Sequence, residues 1–272
     1  MSKSNINYIV PQNNWLAIVN ENIVELSDTQ LSEVVKLVLT HKVVIFKKQR
    51  MSVDDEVAVC NRIGRCSNMR PYAENGTLKN VVIKDVIIKC GSTTTYSHVP
   101  TWHADVPTAP NRKPLHWLYA KKDSTYSRTS WLNTARAYDS LDQSMKDRLR
   151  GLKIIIKLNS PHNANGGHPP QEHEFSVLRT NVLGVTEIYY PFLQGAEIVN
   201  LDPVNRQEIH KFLVRHLTQD KNIYHHYWAD TDLVISDMWG TLHKRDIFHI
   251  TSGREMHRIA LDYSRVLWQD IA

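Results

Sequence analysis

Apolar residues follow two rhythms along this chain: a helical one in three stretches, and a continuous or period-two one through the middle and end. Leu31, Val34, Val35 and Val38 recur at helical spacing directly after Ser27-Asp28-Thr29-Gln30, a capping-box start, and so predict an amphipathic helix. A second helix is expected from Ser52 to Ile63. Asp202-Pro203 supplies an N-cap with proline at the first helical position, and Ile209, Phe212, Leu213 and Leu217 line one face of a third. Strands are predicted for Val43 to Phe46, Val81 to Ile88, Leu115 to Ala120, Leu152 to Leu158, Thr186 to Tyr190, Leu233 to Ser236 and Met256 to Tyr263. Asn159 to Gln171, with Pro161, Gly166, Gly167, Pro169 and Pro170, predicts an interior loop long enough to act as a lid. There is no internal repeat and no low-complexity linker. The sum is a mainly β fold with flanking helices, a barrel or a sandwich.

At 272 residues and 42% hydrophobic, the chain can bury a full core without disulfides or structural metals, so residues 1–272 are expected to form one domain. Cys60, Cys66 and Cys90 are odd in number and make no C-x-x-C pair, and the start Met1-Ser2-Lys3-Ser4-Asn5 is polar. Reduced thiols and a cytoplasmic location fit that pattern. No apolar run approaches the length of a membrane span, so no membrane association is expected. The net charge of +5 would suit a non-catalytic, basic nucleic-acid-binding β-domain, but Lys and Arg are spread along the chain rather than gathered in a block. The charge is read instead as favouring small anionic ligands, with no nucleic acid expected. A homo-oligomer is compatible with these features.

His103 and Asp105, in Thr101-Trp102-His103-Ala104-Asp105-Val106, are spaced to project from one face of an extended strand, and with a distant histidine they could occupy one triangular face of an octahedral metal. With 14 His and 17 Asp in the chain, chance alone yields about one H-x-D, so the pair needs support. Support comes from Gly253-Arg254-Glu255-Met256-His257-Arg258-Ile259-Ala260-Leu261, where alternation puts Arg254, Met256 and Arg258 on one side and His257, Ile259 and Leu261 on the other. Two guanidiniums facing a barrel interior each require an anion, and a keto acid and an anionic substrate would provide them.

In these residues the chain resembles the TauD/TfdA family of Fe(II)/2-oxoglutarate-dependent dioxygenases, and the likeness runs through nearly its whole length. Leu39-Thr40-His41-Lys42-Val43-Val44-Ile45-Phe46 is similar to the family's first core strand, and Trp102-His103-Ala104-Asp105-Val106 to its W-H-x-D-V. Ile235-Ser236-Asp237 leading to Thr241-Leu242-His243, then Arg254-Glu255-Met256-His257-Arg258, are similar to the stretches that deliver its distal histidine and its closing R-x-M-H-R. The resemblance implies a double-stranded β-helix (jelly-roll) core, iron ligands His103, Asp105 and His243, and cofactors Fe(II), 2-oxoglutarate and O₂. It further implies Arg254, assisted by Thr129, on the distal carboxylate of 2-oxoglutarate, and Arg258, with no other partner assigned, on the acidic group of the substrate. Arg70, Tyr72, Tyr96 and His98 fall where the family places its substrate-covering loop.

Departures narrow the substrate. The family's Gly-Gly-Asp-Thr turn is replaced by Tyr126-Ser127-Arg128-Thr129, the taurine-recognising His and Tyr are missing from Ser67 to Glu74, and Val99 stands where the taurine enzyme has Asn. Taurine is therefore not the expected substrate. Asp105 is intact, which disfavours halogenation. The expectation is a small anionic acid, aromatic or amino-acid-derived, such as an isonitrile acid of specialised metabolism like tyrosine isonitrile, with hydroxylation or desaturation as outcome. Taurine/sulfonate-type and aryloxyacetate-type dioxygenases are the alternatives, and a zinc hydrolase could use the same His/Asp/His set without O₂. His162, His168, His173 and the His225-His226 pair are read as lid or surface histidines, and Trp239 as either pocket-lining or core.

Overall fold

Leu115-His116-Trp117-Leu118-Tyr119-Ala120, a run without polar alternation, becomes the strand Pro114–Lys122 at the middle of a nine-stranded sheet. Leu233–Asp237 pairs antiparallel on one side of it and Glu255–Asp262 on the other. Beyond Leu233–Asp237 lie Val43–Phe46, then Ala17–Val19 in a parallel pairing, then Tyr8–Ile9. Beyond Glu255–Asp262 lie Ile87–Cys90 and Val81–Ile83, with Arg65–Cys66 pairing to its far end. The computed structural model describes residues 6–67, 73–74, 77–78, 81–90, 102–105, 114–122, 124, 127–158, 171–246 and 254–263.

Both faces of the large sheet are covered, which is why its central strand shows no polar period. Trp117, Tyr119, Ile235, Ile259 and Leu261 pack outward against Leu31, Val34, Val35 and Val38 of the helix Asp28–His41 and against Val59 and Ile63 of the helix Val53–Ile63. Leu118, Ala120, Val234 and Met256 pack inward against Trp131 and Trp228. Trp131 belongs to a second, three-stranded sheet of Ile223–Tyr227, Arg128–Asn133 and Thr241–Arg245, and Trp228 follows its edge strand. On that sheet's other side, Leu132 and Leu242 pack with Ile209, Leu213 and Leu217 of the helix Pro203–Leu217. The fold is thus mainly β with a few helices. No helix among the described residues is long and apolar enough to cross a membrane.

Each predicted helix start is in place. Ser27 Oγ accepts from the Gln30 amide at 3.3 Å while Gln30 Oε1 accepts from the Ser27 amide at 3.0 Å, and Ser52 and Asp55 repeat the reciprocal cap. Asp202 Oδ1 accepts from the Val204 and Asn205 amides. One strand prediction needs correction: Val81 to Ile88 is a hairpin of Val81–Ile83 and Ile87–Cys90, because Lys84 and Asp85 take left-handed φ of 50° and 58° and turn the chain. The second sheet was not legible as strands, since R-T-S-W-L-N, I-Y-H-H-Y and T-L-H-K-R mix polar residues onto both faces. Gln171 begins a strand, Gln171–Ser176, and residues 159–170 of the expected lid lie outside the described residues.

A buried charge cluster braces the turn that leads to His243. Lys42 caps the first helix at a left-handed φ of 65°, and its fully buried ammonium donates to Glu187 and, at 3.2 Å, to Asp237 Oδ2. Asp237 in turn accepts from the Trp239 amide through Oδ1 (3.0 Å) and from Thr241 Oγ1 through its carbonyl (2.6 Å). A Cβ at Gly240 would lie 2.5 Å from Lys42 Cδ and 2.8 Å from Asp237 Oδ2, so the close approach demands glycine. Burial and the neighbouring Asp237 push Glu187 up to about 8, and Lys42→Met takes the ammonium away from this buried pair of acids and should cost about 3–5 kcal/mol. The exposed pair Arg148–Glu208 provides a control, since Arg148→Met should cost under about 1 kcal/mol. Urea unfolding of the two variants checks both values, and equal costs would show that the cluster is not braced by Lys42.

Candidate metal and cosubstrate site

His103 and His243 are held against each other by a two-way backbone bridge, His103 N–H to His243 O at 2.9 Å and His243 N–H to His103 O at 2.8 Å. Thr241–Arg245 is the edge of the second sheet, so the bridge adds the His103 segment to that edge. The segment is fixed from behind as well: Gln194 accepts from the Ala104 amide and donates to the Ala104 carbonyl, both at 2.8 Å, while Trp102 and Ala104 sit in the core beneath the sheet. His103 Nε2 then lies 3.4 Å from Asp105 Oδ1, and His243 Nε2 lies 3.9 Å from Asp105 Oδ2. One donor atom from each residue falls within 4.8 Å of the others. Two imidazoles and a carboxylate so gathered fit a divalent first-row ion held on one face, with the opposite positions left for ligands.

The electrostatics keep Asp105 ionised and His243 neutral. Burial would raise the Asp105 carboxyl, but the Arg258 guanidinium, the hydrogen bond from His103, and then His116 and His243 hold it well below the usual carboxylate range. Burial, with His103 nearby, pushes His243 well below the ordinary imidazole value. A metal ion therefore displaces few protons when it binds near neutral pH.

Arg258, to which the sequence assigns no other partner, donates from Nη1 to Asp105 Oδ2 at 2.6 Å. Sequence reasoning also missed His116, which projects from the central strand on the same inward face as Leu118 and Arg258 and places Nε2 3.2 Å from the same carboxylate oxygen. Burial lowers its pKa to about 4, so it is neutral at pH 7. A lone histidine inside an apolar strand was the available signal.

Arg254 is buried, and its Nε donates to Ser127 Oγ at 2.9 Å. Trp228 ties this corner together, its amide donating to the Ser127 carbonyl and its indole N–H to Thr129 Oγ1 at 2.9 Å. Arg254, Thr129 and the unpredicted Ser127 are thus linked through Trp228 in one hydrogen-bonded polar corner. Ser127 occupies the stretch that departs from the family's Gly-Gly-Asp-Thr. Arg70, Tyr72, Tyr96 and His98 lie outside the described residues. His226 is not a surface histidine: it is buried against Asp232 at 3.2 Å, because its strand turns that side chain inward. Trp239 packs in the core, 4.6 Å from the Tyr189 ring, with Arg179 over its face.

A mainly β fold that gathers two imidazoles and a carboxylate at the edge of one of its sheets fits the class of non-haem metal proteins. The profile of the family described as Taurine catabolism dioxygenase TauD, TfdA family matches residues 10–260, and the chain belongs to that family. It is 22% identical over 256 residues to the alpha-ketoglutarate-dependent 2,4-dichlorophenoxyacetate dioxygenase of Cupriavidus pinatubonensis, covering 86% of this chain and 88% of the relative. It is 21% identical over 262 residues to the pentalenolactone F synthase of Streptomyces avermitilis, covering 86% of each. Among solved structures, a taurine dioxygenase from Burkholderia xenovorans superposes with a TM-score of 0.79 at 19% identity, over 94% of this chain and 89% of that one. AAD-2 in complex with Mn(II) and N-oxalylglycine superposes with a TM-score of 0.74 at 18% identity, over 95% and 97%. The chain is an oxidoreductase, a dioxygenase that depends on Fe(II), 2-oxoglutarate and O₂. The non-catalytic and zinc-hydrolase readings are thereby set aside.

Proposed function

We propose that this dioxygenase acts on a small anionic acid, aromatic or amino-acid-derived, such as an isonitrile acid, and hydroxylates or desaturates it. The observation that carries the reading is the partly exposed Arg258 guanidinium on the inward face, in contact with Asp105 and so beside the donor set. Bound Fe(II), with 2-oxoglutarate and O₂, supplies the oxidation that removes hydrogen from a substrate C–H bond, leaving succinate and CO₂. The chain's own task is to hold the keto acid and substrate in register and to keep water from the reacting atoms. His103, Asp105 and His243 are assigned to the metal, Arg254 and Thr129 to the keto acid, and Arg258 to the substrate anion. Arg70, Tyr72, Tyr96 and His98 are the candidate substrate cover. The two sheets sharing one inner cluster support a double-stranded β-helix forming one oxygenase domain.

An aryloxyalkanoate substrate is the second reading, favoured by relatives named as dioxygenases of 2,4-dichlorophenoxyacetate and of (S)-phenoxypropionate, the latter 25% identical over 248 residues. Both readings require an acid on an aromatic or compact carbon frame. Incubating the anaerobic Fe(II) protein and 2-oxoglutarate with aromatic, amino-acid, isonitrile, aryloxy and sulfonate acids, then admitting O₂ and measuring succinate and product mass, separates them. Arg258 gives a sharper test. Wild type should prefer an acid to its neutral amide by roughly 10- to 100-fold, the worth of a charge-assisted bidentate contact, and Arg258→Ala should largely lose that preference. Because Arg258 also touches Asp105, the comparison is made at saturating Fe(II). Arg258→Lys restores charge without the planar fork and should recover only part. Equal discrimination by wild type and Arg258→Ala would make Arg258 structural.

A further inference from the structure

His116 is 2% exposed, and neither ring nitrogen has a hydrogen-bond partner. A buried polar group in that condition costs about 1–3 kcal/mol, so an imidazole retained there requires a compensating contact. Its surroundings name one. Ser236 and Ala260 flank it in register on the neighbouring strands, and its ring stands 4.9 Å from that of His243. Its Nε2 lies 3.2 Å from Asp105 Oδ2, close enough for a hydrogen bond but off the required direction. The same oxygen accepts from Arg258 Nη1 at 2.6 Å and stands 3.9 Å from His243 Nε2, whereas Asp105 Oδ1 faces His103 Nε2 at 3.4 Å.

We propose that His116 is a positioning residue for Asp105: with Arg258 it holds Oδ2 back from the metal, so that the carboxylate presents Oδ1 alone. A small rotation of Asp105 as Oδ1 engages an ion between His103 and His243 would bring Oδ2 onto the His116 N–H. The two donors come from adjacent strands in fixed register, Arg258 opposite Leu118 and Ala260 opposite His116, so the clamp is built into the sheet rather than into a loop. A carboxylate left unclamped could swing or bind through both oxygens, taking a coordination position that the keto acid and O₂ need. The inference rests on the assignment of His103, Asp105 and His243 to the metal.

Co(II) titration of the purified apo-protein tests it without turnover, reading both affinity and the visible d–d spectrum. His116→Leu should weaken Co(II) binding about 10- to 100-fold, the usual loss when an outer partner of a ligand is removed, and should change the band shape as the carboxylate rearranges. His116→Gln keeps an N–H near the same place and should recover part of the affinity and the wild-type spectrum. In an Asp105→Ala background, His116→Leu should have no further effect, because the residue acts through that carboxylate. Affinity and spectrum unchanged in both His116 variants would overturn the proposal, as would an undiminished loss in the Asp105→Ala background. Failure of the triad assignment looks different: Asp105→Ala alone would then bind Co(II) as wild type does. Should His116→Leu not fold, His116→Gln with and without Asp105→Ala carries the same comparison.

Discussion

Alanine at His103, Asp105 or His243 should abolish substrate-coupled succinate formation and weaken Fe(II) binding by more than about 100-fold, beyond the 10- to 100-fold typical of outer partners. The three donors come from two segments held together by the His103–His243 backbone bridge, with Gln194 clasping the Ala104 backbone from a third, so removing one side chain leaves the backbone support intact. Loss of binding would therefore report the missing donor rather than a collapsed site. Asp105→Ala should differ from the histidine variants in one respect. It leaves the Arg258 guanidinium without the carboxylate it pairs with, placing uncompensated positive charge beside the ion site. Its Fe(II) affinity should fall furthest of the three. Equilibrium dialysis of Fe(II) under argon, with succinate assays after air is admitted, measures both effects. Full activity in any one variant would remove that residue from the triad.

The helices and the large sheet were legible in the sequence because their signals are local. Ser27 and Gln30, Ser52 and Asp55, and Asp202 with Pro203 announce helix starts within four residues, and the runs around Ile45, Leu118 and Val234 are apolar on both faces because both faces are covered. The second sheet was not legible, since its strands gain their identity from pairing: Thr129 and Trp131 look inward only because Arg245 and His243 lie opposite them. The site divides the same way. His103, Asp105, His243 and Arg254 could be named from motifs, and the structure brings the first three together and buries Arg254. Ser127, His116 and the Arg258–Asp105 contact depend on distances across strands, which no spacing along the chain encodes.

Arg254→Ala should raise the apparent 2-oxoglutarate requirement by roughly 30- to 1000-fold, equivalent to about 2–4 kcal/mol for losing one member of a desolvated charge pair. The site's construction supports so large a value. Arg254 is buried, its orientation is set by Ser127 Oγ at 2.9 Å, and Ser127 is itself fixed by donating to the Ser124 carbonyl at 2.8 Å. A guanidinium already desolvated and aimed loses little further freedom when a carboxylate arrives. Smaller changes in the same corner should rank accordingly. Ser127→Ala removes a neutral partner of that guanidinium and should cost about 0.5–1.5 kcal/mol, up to about tenfold in the 2-oxoglutarate requirement. Thr129→Val removes the acceptor of the Trp228 indole N–H and should fall in the same range. Arg254→Lys keeps the charge but not the fork, and should lie between Arg254→Ala and wild type. Succinate formation against 2-oxoglutarate concentration at saturating Fe(II) gives the order, and Fe(II) affinity measured separately should stay near wild type in all four variants. A requirement unchanged by Arg254→Ala would mean that the keto acid's distal carboxylate is held elsewhere, and a parallel loss of Fe(II) affinity would mean that Arg254 supports the fold instead.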